Sequence, residues 1–155
     1  MEQILSELTF NTPGEGCLNI SRDINDWIAS TKLIQGILII STKHTSCSLI
    51  INENADPNVL KDLTNYMRAL VPEKAFISLD GKSNKQQYLH SEEGLDDMPA
   101  HIRTMLTCSS LSLSVSNGKL ILGTWQAIYL WEHRYAKNQR RLNLHAMGKF
   151  KNWPK

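Results

Sequence analysis

Two stretches hold most of the side chains able to do chemistry: HTSCSLIINENADP, from His44 to Pro57, and YLHSEEGLDDMPAHIR, from Tyr88 to Arg103. Between them they supply three histidines at strand or helix ends. His44, His90 and His101 could converge on one divalent metal, because neutral imidazole is a common ligand for such ions. Their spacing contains neither HExxH nor HxH, so convergence would have to come from the fold. Asp97 stands four residues before His101 at a helix start, which puts both on one helical face. The carboxylate could orient the imidazole for acid–base work or for a metal. An ordinary surface pair would look the same in sequence.

Asp56 reads as a helix cap, whereas Glu53 and Asn54 stay open as site residues. His133 and His145 fall at strand-end and last-strand positions and receive no ligand role. From Leu120 to Trp131 the chain is apolar on both faces of a strand reading, interrupted by Gln126, with Glu132 just beyond. A polar side chain buried there without a partner costs about 1–3 kcal/mol. Gln126 is therefore a candidate for binding a ligand. Glu132 lies about 20 Å further along an extended strand, where Arg134 or Arg141 could pair with it at an interface.

The elements that must position these groups can be read locally. Ile4 to Thr12 is a strand closed by Pro13-Gly14. Ser21 to Leu33 is a helix with Ser21 as its capping signal. Gly36 to Thr42 and Cys47 to Asn52 are core strands. Asp56-Pro57 opens a second helix with the apolar stripe Leu60, Leu63, Met67, Leu70 and Val71, stopped by Pro72. Residues 73 to 95 form a long polar loop, and a third helix runs from about Asp96 to Leu106. Asn117-Gly118 marks a two-residue hairpin pairing Val115 with Leu120, Leu113 with Leu122 and Leu111 with Thr124. Arg141 to Gly148 is the last strand. The doubly apolar strand requires cover on both sides, from a second layer of the same chain or from another subunit. Few elements remain to provide it, which points to a homo-oligomer, with a closed sandwich as the alternative.

The 155 residues suit one domain spanning the chain. A net charge of +2 gives no electrostatic case for nucleic acid or an anionic membrane. No apolar run approaches the roughly 20 residues of a membrane span. MEQILSELTF lacks the basic start of a secretory signal. Cys17, Cys47 and Cys108 are few, odd in number and widely spaced, as in a reduced cytoplasm.

The two stretches above, followed by NGKLILGTWQAIYLWEHR from Asn117 to Arg134, resemble the YjbQ-like family, also called the secondary thiamine-phosphate synthase family. The resemblance runs over nearly the whole chain. It implies an α+β fold, an antiparallel β-sandwich with helices packed outside, assembled as a homotrimer. It carries over recurrent polar positions at His44, Thr45, Ser46, Asn52, Glu53, His90, Asp97, His101, Trp125, Gln126 and Glu132. Members often have an FDGPR-like stretch after the glutamate; here HRYAKNQRR follows, leaving the roles of Arg140 and Arg141 open.

The implied activity joins hydroxymethylpyrimidine diphosphate to a thiazole phosphate near a subunit interface, expelling diphosphate. In that reading His101, Asp97 and Gln126 are catalytic. Trp125 stacks on a small phosphorylated substrate, with Thr45, Ser46 and Glu53 beside it. His44, His90 and His101 hold a divalent ion, zinc or magnesium. Lys43, Lys82, Lys85 and Arg103 are the cations available to phosphate, though they form no motif. Three imidazoles suit zinc better than magnesium. The alternative is a metal or small-ligand binder, or a metal-dependent hydrolase, whose synthase activity is incidental.

Overall fold

Side-chain alternation sorts the longest strands. In β1 (Glu2–Thr12) and β10 (Asn138–Phe150), apolar residues such as Leu8, Leu142 and Leu144 point inward while Glu7, Arg141 and Asn143 point out. The computed structural model describes residues 2–78 and 85–151, so Lys82 lies outside the described residues. β1 pairs with β10 without a break in register, and β10 pairs in turn with β3 (Leu33–Thr42). β7 (Ser110–Ser116) and the short β8 (Lys119–Leu120) complete a five-stranded antiparallel sheet in the order β1-β10-β3-β7-β8.

A second sheet of three strands has the order β2-β9-β4, from β2 (Gly16–Asn19), β9 (Gln126–Glu132) and β4 (Cys47–Glu53). β5 (Ala75–Ile77) and β6 (Lys85–Gln87) form a small separate hairpin within the long polar loop. The two larger sheets face each other, and Leu38, Ile40, Leu113, Leu142 and Leu144 of one meet Leu49, Ile128 and Leu130 of the other in one core. Helix α1 (Ser21–Thr31) adds Ile24 and Ile28 to that core. Helices α2 (Pro57–Leu70) and α3 (Asp97–Leu106) lie against β2 and β4 respectively. The α+β sandwich with helices outside is thus present. Among the described residues, no helix is long and apolar enough to cross a membrane.

The NG hairpin forms as its sequence dictates, with positive φ at both Asn117 and Gly118 and the pair Val115–Leu120. The partner strand does not continue to Trp131. Ile121 still donates its N–H to the Ser114 carbonyl, but Gln126 N–H then bonds to Gly123 O in a turn. The chain leaves the first sheet there and re-enters as β9, the centre of the second. The β7·β8 ladder holds only Val115–Leu120 and Ser116–Lys119, so the expected pairs Leu113–Leu122 and Leu111–Thr124 are not part of it; on its other edge β7 sets Leu113 against Leu38 and Leu111 against Ile40. The single strand expected from Leu120 to Trp131 is two strands in two sheets. β9 is buried from Ala127 to Glu132 by its own chain, so its apolar faces give no argument for a partner subunit. Ser21 also departs from its expected role: its hydroxyl accepts from Ile128 N–H at 2.8 Å, tying α1 to β9 rather than capping α1.

Polar groups at the end of β9 are paired internally. Glu132 is fully buried and takes Arg140 Nε at 2.7 Å, Thr12 Oγ1 at 2.8 Å and the Arg134 backbone N–H at 3.0 Å. Burial alone would raise this carboxyl, yet those donors outweigh it and hold it below its usual range. Its partner is Arg140, which the turn after β9 brings back, rather than Arg134 or Arg141 across an interface. His133 is also fully buried, with Ser48 Oγ 2.9 Å from its Nε2 and no partner for Nδ1. Burial, and then the Arg103 charge, push this imidazole down to about 3.

Truncating Glu132 to Ala strands a buried guanidinium and should cost about 3–5 kcal/mol in urea unfolding, whereas Glu132→Leu combined with Arg140→Met should recover most of it. For His133 the unfolded chain binds a proton below about pH 6.5 that the folded chain refuses. Its contribution is therefore complete above that pH and falls by up to about 1.4 kcal/mol per pH unit as pH drops from 6.5 toward 3. A His133→Gln variant should lose that slope between neutral pH and about pH 5. An unchanged slope in urea melts would contradict the assignment.

Candidate metal centre at the start of helix α3

Asp97 begins α3, and one helical turn brings His101 back over it. His90 arrives from the loop before the helix, Thr45 from the loop between β3 and β4, and Arg134 from the loop after β9. These segments are far apart in sequence and meet because α3 lies against β4 while β4 pairs with β9.

Asp97 is only 2% exposed. Its Oδ1 accepts a hydrogen bond from Arg134 Nη1. The same guanidinium donates through Nε to Asp96 Oδ2 at 3.0 Å and through Nη2 to the Glu93 carbonyl at 2.8 Å. Burial works against the Arg134 charge, but the bond to Asp96 and the nearby acids raise its pKa regardless. Asp96 also accepts from Tyr135 N–H at 2.8 Å, so it ties this loop down instead of capping α3 with its side chain.

The other oxygen of Asp97 is buried without a hydrogen bond. His90 Nε2 stands 2.7 Å away, within ion-pair range but outside hydrogen-bond geometry. His101 Nε2 lies 3.7 Å from Oδ1, and the two imidazole centroids are 5.3 Å apart. His101 Nδ1 is 3.0 Å from the Thr45 carbonyl. A carbonyl only accepts, so Nδ1 carries a proton, and in the neutral ring Nε2 presents the lone pair. This second bond fixes ring and tautomer as in many metal-ligating histidines. One atom each from His90, Asp97 and His101 lies within 4.8 Å of the others. Ligand distances near 2.1 Å put tetrahedral ligands about 3.4 Å apart, so His90 Nε2, now 2.7 Å from Oδ2, would move back from that oxygen to admit an ion.

His44 does not join this group. Its Nε2 accepts from Arg141 N–H at 2.9 Å, and burial followed by the Arg140 and Arg141 charges lowers its pKa. Two of the three expected histidines therefore come together, and the third place belongs to Asp97. Orientation of His101 falls to the Thr45 carbonyl. Ser46 Oγ accepts from Arg140 at 3.0 Å.

Gln126, Trp125 and Glu53 lie elsewhere. Gln126 pairs with Glu53 at one end of the three-stranded sheet, while Glu132 pairs with Cys47 at the other, beside Thr45. Six strand residues separate the ends by about 20 Å. Gln126 is exposed and its Oε1 accepts from Gly123 N–H at 2.8 Å, bracing the turn. Trp125 is 64% exposed. The Glu53 carboxylate accepts from Asp56 N–H at 3.1 Å, just ahead of α2. Among the cations considered for phosphate, Lys43 pairs with Glu7 and Arg103 is buried against Glu15 and the Val71 carbonyl. Lys85 lies on exposed β6. The Arg134 clasp is not legible in sequence as a site feature; its one signal is a charge directly following a buried strand.

The family model for the UPF0047 protein YjbQ-like family matches residues 6–149. The UPF0047 protein sll1880 of Synechocystis is 44% identical over 141 residues, covering 91% of this chain and 89% of that protein. YjbQ of Escherichia coli O157:H7 is 35% identical, over 87% of this chain and 91% of its own length. A crystal structure of a YjbQ/UPF0047 protein from Clostridium acetobutylicum superposes with a TM-score of 0.78 at 27% identity, covering 92% of this chain and 99% of that one. The conserved hypothetical protein TT1486 of Thermus thermophilus gives 0.75 at 30% identity, with coverages of 92% and 99%. An extended match to the family model, curated relatives of near-equal length and a shared fold lead to one conclusion: this chain belongs to the YjbQ-like UPF0047 family.

Proposed function

We propose that the chain is a metal-dependent hydrolase that binds one divalent ion through His90 Nε2, His101 Nε2 and Asp97 Oδ2. The observation that carries this reading is the buried Asp97 oxygen, left without a hydrogen bond beside His90 Nε2, with His101 Nε2 close to the other oxygen of the same carboxylate. Leaving a buried carboxylate oxygen unsatisfied is costly, and a cation removes that cost. Two imidazoles and one carboxylate suit zinc or a neighbouring transition ion better than magnesium.

The His90 and His101 side chains are 51% and 33% exposed, so the centre opens to solvent on one side, as catalytic rather than structural sites do. A bound ion of this class supplies Lewis acidity and lowers the pKa of water. The chain's own contributions are positional. Arg134 holds Asp97 by one oxygen and leaves the other beside His90, and the Thr45 carbonyl keeps a proton of His101 on Nδ1. In hydrolysis the oxygen of water bonds to the substrate carbon, the bond to the leaving group breaks, and the proton ends on the leaving group.

Thiamine-phosphate synthesis, which the resemblance implied, would ask the same centre to work with Trp125, Gln126 and Glu53. One chain keeps them at opposite ends of a sheet, so that activity would need a second copy. A homotrimer is the working form in this reading, with Tyr66 and Leu70, exposed on α2, offering apolar contact surface.

Dialysed protein should retain one zinc or cobalt per chain by elemental analysis. His90→Ala, His101→Ala and Asp97→Asn should each weaken binding by at least about tenfold, with ester hydrolysis falling alongside. His44→Ala should bind as tightly as the parent. Loss of the metal in His44→Ala but not in Asp97→Asn would overturn this ligand set. Light scattering should give about three times the 17.6 kDa chain mass.

A further inference from the structure

The charges around the centre bear on what it can receive. Glu93, Asp96 and Asp97 surround Arg134, so three carboxylates face one guanidinium and two negative charges remain. A divalent ion cancels those two and leaves no positive excess. Arg134 has little left to offer an anion, since Nε, Nη1 and Nη2 already donate to Asp96, Asp97 and the Glu93 carbonyl.

Among the described residues, several neighbouring cations are already committed to other acids. Lys43 is tied to Glu7, Arg140 to Glu132, and Arg103 to Glu15, which Arg68 also holds. Arg141 points from the outer face of the five-stranded sheet, where its charge acts on Glu7. Glu92, next to Glu93 in the chain, is exposed and adds negative charge.

Resting on the metal-centre reading above, we infer that the substrate of this centre is uncharged at its reacting group, an ester, amide or lactone rather than a phosphate or diphosphate. Binding a diphosphate at a centre of zero or negative net charge would mean removing its hydration without compensating cations. A neutral carbonyl has no such requirement: its oxygen needs one electrophile, and its leaving group needs one proton. The acidic rim then acts as a filter, admitting neutral compounds and repelling polyanions.

The test uses the cobalt-loaded protein in mildly alkaline buffer and two small probes, acetohydroxamic acid, uncharged in solution and giving up one proton to buffer as it binds, and methylphosphonate, mostly a dianion there. Changes in the visible cobalt spectrum report binding of each. Acetohydroxamic acid should bind at least about tenfold more tightly than methylphosphonate at low ionic strength. Glu93→Gln removes one rim charge and should tighten methylphosphonate severalfold while changing acetohydroxamic acid by less than about twofold. Methylphosphonate binding as tightly as the neutral probe, or failing to respond to Glu93→Gln, would overturn the substrate class while leaving the metal centre standing. Absence of cobalt bands in the parent protein would instead overturn the metal centre and this inference with it.

Discussion

A buried carboxylate needs compensation for its charge, and Asp97 receives it on one side only. Arg134 satisfies Oδ1, while Oδ2 lies beside the His90 imidazole without a hydrogen bond. Several other features of this end of the molecule serve that arrangement. Asp96 and the Glu93 carbonyl hold Arg134 in place, Tyr135 N–H holds Asp96, and the Thr45 carbonyl turns His101. The half-satisfied carboxylate is the feature that a cation would complete.

Two buried polar networks lie in the segments that carry the centre's loops. Glu132, Arg140 and Thr12 close one network at the end of the sandwich, and Arg103 closes another with Glu15. His133 sits among them as a neutral ring, kept neutral by burial and by the Arg103 charge. Both networks join segments distant in sequence, so the loops carrying Thr45 and Arg134 are anchored to the sheet ends. Side chains held in this way would bind an ion without first giving up loop entropy.

How much of this is legible in the sequence depends on range. Asp56-Pro57 opens α2 as expected because a cap and a proline act within one turn, and Asp56 does accept from Asn58 N–H at 2.8 Å. Asn117-Gly118 is equally local. The strand after that turn misleads because Ile121 to Trp125 keeps its apolar character while the chain changes sheets, and periodicity does not record which sheet a strand joins. β2 leaves no usable signal, since four residues after a glycine turn carry too little pattern. Of the polar residues on β9, Glu132 is buried and needs partners, whereas Gln126 is exposed at the strand's start. Which partners they find depends on topology: Glu132 meets Arg140 across a turn, and Gln126 meets the backbone of its own loop. His90, Asp97 and His101 are identifiable by residue type, but the exchange of His44 for Asp97 requires knowing that His44 accepts a backbone N–H from β10.

Membership of the YjbQ-like family and the α+β sandwich describe the scaffold, while the proposed chemistry rests on a few atoms at one sheet end. X-ray absorption at the metal edge of zinc-loaded protein examines those atoms directly. Two imidazole nitrogens with one carboxylate oxygen and solvent at about 2.0–2.1 Å is the result this account predicts. A shell of oxygens alone, or three imidazoles without a carboxylate, would contradict it.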